Sequence, residues 1–325
     1  LLQSMNYFLE KKMPLFIPLI VILGVTVLSG LSAFSHWVQW IFAFISFSSC
    51  LSFNLNEVKS TVAKPLPVLV SLIILQLIMP SMAFAAGHLF FAGDIYTITG
   101  LILMFTIPTG VITLMWSSIY GGKVGLTLVT VLIGTLLSPL LVPLTLDILI
   151  GAQVAIDIVG LIQGLLWMIV IPSLLGMMVN RITKGESKAL GKKLAPFSKL
   201  SMMLVILINS AVVAPYFEQI NGKVVVIFLL VFALACTGYL IGFFTPVMLK
   251  WDKSIAVSLM YTSGMRNTGV GAALAVTYFP PATALPVVLA VLFQQFLASF
   301  SGQFAERYLS SEKSVRAILK VGKTS

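Results

Sequence analysis

Apolar residues fall in runs of about twenty, and the polar residues collect between the runs. Ten runs stand out, near 13–34, 37–55, 65–87, 94–120, 124–148, 157–180, 196–217, 224–249, 254–278 and 283–305. A helix of that length crosses a hydrocarbon core of ~30 Å. Short polar or Gly/Pro-containing links join them, and the longest, "NRITKGESKALGKKLAPFSK" (180–199), separates run six from run seven. The pattern predicts an all-α integral membrane protein of ten transmembrane helices, with no separate soluble domain.

Two runs are interrupted. The fourth contains "TIPTGV" (106–111), with Pro108 and Gly110 in mid-run, and the ninth contains "TSGMRNTG" (262–269), with Gly264 at its centre. Five plus five runs put these breaks at the same ordinal place in each half. An odd number of spans per half inverts the second half relative to the first, as in secondary transporters whose sites lie on broken helices at the membrane centre. The predicted architecture is therefore two inverted five-helix repeats, residues 1–148 and 149–310, followed by a cytoplasmic tail, 311–325.

Composition and charge agree with this picture. The chain is 59% hydrophobic and 9% charged, against about 45–50% and 25% in soluble domains. Its net charge of +10 follows from loop lysines and arginines and calls for no nucleic acid. With a cytoplasmic N-terminus and one crossing per run, 18 of the 20 basic residues fall on the cytoplasmic side, as the positive-inside rule requires. Only Lys223 lies outside, Arg266 lies within the membrane, and both termini are cytoplasmic. The expected location is a bacterial-type inner membrane. Lys11 and Lys12 before run one resemble a signal peptide, but the run is too long for one. Met5 is expected to be the native start. Trp37, Trp40 and Trp251 read as interfacial anchors, and His36 and His88 sit near span ends. Cys50 and Cys236 read as buried small hydrophobes, with no spacing that suits a metal.

The chemistry concentrates at the breaks. Unwound backbone must line a cavity or be buried in protein, because lipid satisfies no hydrogen bond. Half-helix N-termini then present N–H groups and partial positive charge to an anion, and carbonyls at the opposite ends can hold a cation. Arg266 costs roughly 2.5–3.5 kcal/mol at the membrane centre, and every acidic residue lies in a loop or near a span end. It either binds an anion or caps carbonyls structurally. The candidate substrate-binding set is Arg266, Asn267, Thr268, Thr109, Gly110 and Val111, with Gln294 and Gln295 of run ten. Ser138 and Pro139 are expected to kink run five. No HExxH, GxSxG or paired acidic set at one depth supports an enzyme.

The signature "GMRN" (264–267) followed by "GVGAALA" (269–275) resembles the bile acid:sodium symporter family. "IPTG" (107–110), "GG-VGLTL" around 121–128, "LLSPLL" (136–141) and "LSFNLNEVKS" (51–60) resemble other parts of it. The resemblance implies a panel of spans 1, 2, 6 and 7, and a core of spans 3–5 and 8–10 in which spans 4 and 9 cross at their breaks. It implies carriage of organic anions, such as bile acids or pantoate-like acids, with two sodium ions. The ion ligands are where this chain departs. The family's sodium-binding glutamate matches Thr262, and its neighbouring glutamine matches Arg266. A serine–asparagine pair matches Thr113 and Leu114, and a threonine of span five matches Val131. Thr113, Thr262, Ser263, Met265 and Gln76 form the ion-binding or vestigial sodium site. The expected function is a secondary transporter of a small organic anion by alternating access, with sodium coupling weakened or lost. Family-like sodium symport and an anion-binding membrane sensor are the alternatives. No organic cofactor is expected, and partners reduce to the organic anion and the lipid bilayer.

Overall fold

The computed structural model describes residues 2–53, 65–151, 154, 157–217 and 222–321. They are helical almost throughout, with no strand among the described residues. The helices are α1 (Leu2–Thr26), α2 (Val38–Cys50, after a 3₁₀ stretch Ser29–Trp37), α3 (Leu66–Phe90), α4a (Ile95–Thr106), α4b (Ile112–Ile119) and α5 (Val124–Ile150). They continue as α6 (Ile158–Ile182), α7 (Ser187–Val212), α8 (Gly222–Met248), α9a (Lys253–Gly264), α9b (Thr268–Tyr278) and α10 (Pro281–Val321).

Among the described residues, six helices (α3, α5, α6, α7, α8 and α10) are long and apolar enough to cross a membrane unbroken. A pair bent by 108°, Leu15–Thr26 with Ser29–Cys50, falls on predicted runs one and two and brings the number to at most seven when counted as one span. The other predicted runs are the broken helices α4 and α9, whose pieces are each too short alone. Large apolar side chains such as Ile73, Leu140, Ile148 and Leu229 stand exposed along these helices, an arrangement that only lipid tolerates. This is a multi-pass membrane protein.

Several boundaries differ from the pattern. Run one ends at Thr26 rather than near 34, where Ser29 and Gly30 turn the chain into the 3₁₀ stretch. Much of the long link is helix: α7 begins at Ser187, after Lys184 and Gly185 reverse the chain at φ 50° and 94°. Its lysines 188, 192 and 193 point outward while Ser187 and Gly191 are buried, so its polarity is one-sided rather than loop-like. Helix α10 runs on past 310 into the predicted tail. Cys50 is buried, but Cys236 is only half-buried. Most of "LSFNLNEVKS", from Asn54 onward, lies outside the described residues.

Prolines inside the helices are met by specific partners. A proline has no N–H for the carbonyl four residues back, and its ring crowds that carbonyl. Pro80 and Pro172 each follow a π-turn, Ile74–Ile78 and Leu166–Val170, which widens the helix there. The carbonyl that Pro172 leaves without a donor, that of Met168, accepts from Ser46 Oγ at 3.0 Å. In α5 the Thr135 carbonyl, left by Pro139, accepts from Ser138 Oγ at 2.7 Å, and the helix is continuous through the expected kink.

Helices α1, α2, α6 and α7 pack on one another, and α3, α4, α5, α8, α9 and α10 form a second group. Within the second, α8 approaches α9a closely through Gly238 and Gly242, spaced as small residues are in tightly packed membrane helices. A Cβ at Gly238 would lie 3.1 Å from the Ser263 carbonyl oxygen, and one at Gly242 would lie 2.7 Å from Ser263 Cβ.

Hydrogen bonds sort the chain reversals onto two faces. On one, Asn180 Nδ2 and Ser187 Oγ donate to the Leu51 carbonyl at 2.7 and 2.9 Å, and Lys123 N–H donates to the Ser254 carbonyl at 3.0 Å. Arg181, Lys184, Lys250 and Lys253 lie at the helix ends on this basic face. On the other, Lys223 at the start of α8 pairs with Asp94 at 2.6 Å. Asp94 also caps α4a, its Oδ1 accepting from Thr97 N–H at 3.4 Å.

Burial alone would raise the Asp94 carboxyl, but hydrogen bonds from Lys223 and Thr97 outweigh it and hold the group below its ordinary range. A depressed carboxylate contributes stability that is present above its unfolded pKa and lost as pH falls through its folded one. Asp94→Ala is expected to cost about 1 kcal/mol near neutral pH, mostly through the cap. Thermal unfolding in detergent should show the difference from the parent shrinking as pH falls below about 4.

Candidate functional site

Helix α4a stops at Thr106 because Ile107, which precedes Pro108, is extended (φ −62°, ψ 138°), as residues before proline prefer. Helix α9a stops at Gly264, followed by extended Met265 (φ −92°, ψ 142°). Asn267 then restarts the chain as the N-cap of α9b, its side-chain oxygen accepting from Val270 N–H at 3.4 Å. The two breaks bind each other directly. Asn267 N–H donates to the Pro108 carbonyl at 2.9 Å. A Cβ on Gly110 would lie 3.4 Å from Asn267, in ordinary contact, so the two breaks pack directly on each other.

A cavity of about 350 Å³ opens beside this crossing, between the two helix groups. All eight residues of the substrate-binding set border it. Thr109 donates to or accepts from Thr113 at 2.9 Å. Gln295 accepts from Trp116 Nε1–H at 3.0 Å, which fixes its amide, and Gln294 borders the cavity beside it. Thus both members of the "FQQF" pair reach the same space.

The opposite wall belongs to α2, α6 and α7, and the sequence reading missed it. Ser46, Ser49 and Ser52 of α2 and its end, with Ser173 and Ser198, supply hydroxyls there. The signal was legible: serines at 46, 49 and 52 in an apolar run repeat at helical spacing and share one face. Met13, Phe42, Met115, Met202 and Ile206 supply apolar surface. Ser52 and Gly191 lie at the basic face, so the cavity extends from the crossing to that side.

The ion-site set does not border the cavity. Thr262 lies behind it, its hydroxyl within 2.7 Å of Ser71 Oγ and 3.0 Å of the Ser258 carbonyl. Ser263 Oγ and the Gln76 side-chain amide are buried with no hydrogen-bond partner. Met265 is fully buried, and Thr113 is engaged by Thr109. Val131 borders the cavity as a plain hydrocarbon. Among the described residues no cluster of three or more His, Cys, Asp or Glu side chains could hold a metal ion.

Arg266 is 1% exposed at the break. Its guanidinium lies 5.9 Å from the centre of the Phe105 ring, and none of its three nitrogens has a hydrogen-bond partner. A buried cation left this way is costly.

The model of the sodium bile acid symporter family matches residues 40–223, more than half of the chain. The chain belongs to that family. It is 46% identical to the Bacillus subtilis uncharacterized protein YbaS, over 91% of this chain and 97% of that one. It is 25% identical to the Bacillus subtilis uncharacterized sodium-dependent transporter YocS, over 88% of each. It is 24% identical to a rice chloroplast protein described as a probable sodium/metabolite cotransporter, over 73% of this chain and 57% of that one. The family is one of membrane transporters rather than enzymes.

Asn267→Ala removes the cap of α9b and is expected to lower stability by about 1 kcal/mol. Asn267→Asp retains a capping oxygen and should recover most of it. Thermal unfolding of both variants in detergent measures the difference.

Proposed function

We propose that this chain is a secondary transporter of small organic anions that works by alternating access, with sodium coupling weakened or lost. Ten helices cross a bacterial-type inner membrane, α4 and α9 as broken spans. Residues 1–148 and 149–310 form inverted repeats, with both termini and the basic face cytoplasmic. Helices α1, α2, α6 and α7 act as the panel, and the remaining six as the core that moves against it.

One observation carries the reading. Residue Arg266 stands in the wall of a cavity into which two half-helix N-termini lead, and its guanidinium is buried behind that wall, over the Phe105 ring and without a carboxylate beside it. The first-turn amides of α4b and α9b, with Arg266, favour a carboxylate there. Asn267, Thr109 and Gln295 orient the rest of the molecule.

The same cation disfavours sodium. Like charges about 5 Å apart repel by roughly 3 kcal/mol at an effective dielectric of 20. Thr262 brings a hydroxyl, already engaged with Ser71, where the family carries a carboxylate. A fixed arginine drives nothing, because any charge it carries across returns when the empty carrier resets. Without co-ions each turnover moves one negative charge, worth roughly 2.3 kcal/mol per 100 mV, and an interior-negative potential then favours export or exchange. A second reading, sodium symport, draws on the relative described as sodium-dependent and on the unpartnered Gln76 and Ser263 oxygens.

The test is flux of labelled pantoate and cholate in proteoliposomes, with sodium or choline outside and imposed potentials. Equal flux in both salts, responding to potential, is expected. Uptake that needs a sodium gradient would restore symport, and binding without flux would make the protein a sensor. Arg266→Gln should remove stabilisation by the transported acid while the protein remains folded in detergent. Stabilisation equal to the parent's would sink the role given to Arg266.

A further inference from the structure

The cavity reaches the basic face but not the face that carries the Asp94–Lys223 pair. Toward that face the two helix groups meet in a contact whose residues lie beyond the cavity lining. Tyr278, at the end of α9b, crosses to the four-helix group. Its hydroxyl accepts from Gln39 Nε2, in the first turn of α2, at 3.1 Å. Its ring lies on the first turns of α6, at Gly160 and Gly164. A Cβ at Gly164 would come within 2.6 and 2.7 Å of the ring carbons Cε2 and Cζ, and one at Gly160 within 3.2 Å of Cε1. Any larger side chain at Gly164 would push the ring out. Gly160 is itself fixed, since its amide donates to the α6 cap Asp157 at 2.9 Å.

Tyr278 is the last residue of the half-helix that begins at Asn267, so it is rigidly joined to the crossing. Gln39, Gly160 and Gly164 all belong to the other group. If the groups move against one another, this contact is made or broken as a unit. We propose that Tyr278, seated on Gly160 and Gly164 and held by Gln39, is the gate that shuts the cavity on the Asp94 face. This rests on the alternating-access reading above. A neutral hydrogen bond of ordinary strength biases a two-state equilibrium by about two- to tenfold. Such a latch holds the closed form and still releases in every cycle, which a buried ion pair would resist.

Access to the cavity tests the gate without any transported substrate. Cys50 and Cys236 are replaced by Ala, Ile45→Cys is introduced in the cavity wall, and a membrane-impermeant maleimide is added to oriented proteoliposomes from either side. The parent background should label from the basic face. Tyr278→Ala and Gly164→Leu should each raise labelling from the Asp94 face by about tenfold, and Tyr278→Phe by a smaller factor. In a second background without the reporter, Gln39→Cys with Tyr278→Cys is bridged by a short bis-thiosulfonate. Flux of pantoate or cholate should fall more than tenfold and return with dithiothreitol. Unchanged labelling from the Asp94 face in both Tyr278→Ala and Gly164→Leu overturns the gate. So does full flux through the bridged protein. If the parent moves neither acid while labelling responds as expected, the transport reading has failed and the gate stands.

Discussion

Backbone that leaves a helix inside a bilayer has to find partners within the protein, and here two such segments find each other. The bond from Asn267 N–H to the Pro108 carbonyl satisfies a donor at one break with an acceptor at the other. Neither helix could be broken alone at the same cost, because each would leave polar groups facing hydrocarbon. The crossing therefore explains why Asn267 caps α9b and why the N-termini of α4b and α9b meet at one depth. The cavity is a consequence of that meeting, since splayed half-helices leave space that side chains must line.

The second group is arranged to hold the crossing still. Gly238 and Gly242 bring α8 against α9a, and the Tyr239 ring lies directly on Gly264. Where the groups face one another the contacts are softer: the Gly269 position meets the Phe42 ring and the Met202 thioether across the interface. A stiff interior bearing on a pliant boundary suits rigid-body movement of one group past the other.

Much of this was legible in the sequence because a bilayer restricts backbone so severely. Runs of apolar residues marked the helices, and Pro108 and Gly264 marked the two breaks correctly. Arg266 drew notice through its depth, and the residues beside both breaks do reach one cavity. What escaped notice has physical reasons. The serine face of α2 is legible only as a spacing, because isolated hydroxyls can bond to their own helix and are unremarkable singly in apolar runs; Ser49 does bond to the Ile45 carbonyl at 2.8 Å. Nothing in the sequence of α6 hints that Gly164 receives a tyrosine more than a hundred residues away. The link between α6 and α7 reads as a loop by composition, and only the spacing of its lysines marks it as the one-sided start of α7.

Three of the apolar side chains on the cavity wall are methionines, Met13, Met115 and Met202, and they come from both helix groups. An unbranched thioether has three rotatable bonds and a polarisable sulfur, so it adopts new shapes at little energetic cost. The hydrocarbon part of this wall is therefore a poor ruler. Discrimination by outline is weak on such a surface, whereas the helix N-termini at the crossing are held by backbone hydrogen bonds and respond to charge. A chemist designing inhibitors would gain more from the placement of an acid group than from matching the contour of the pocket.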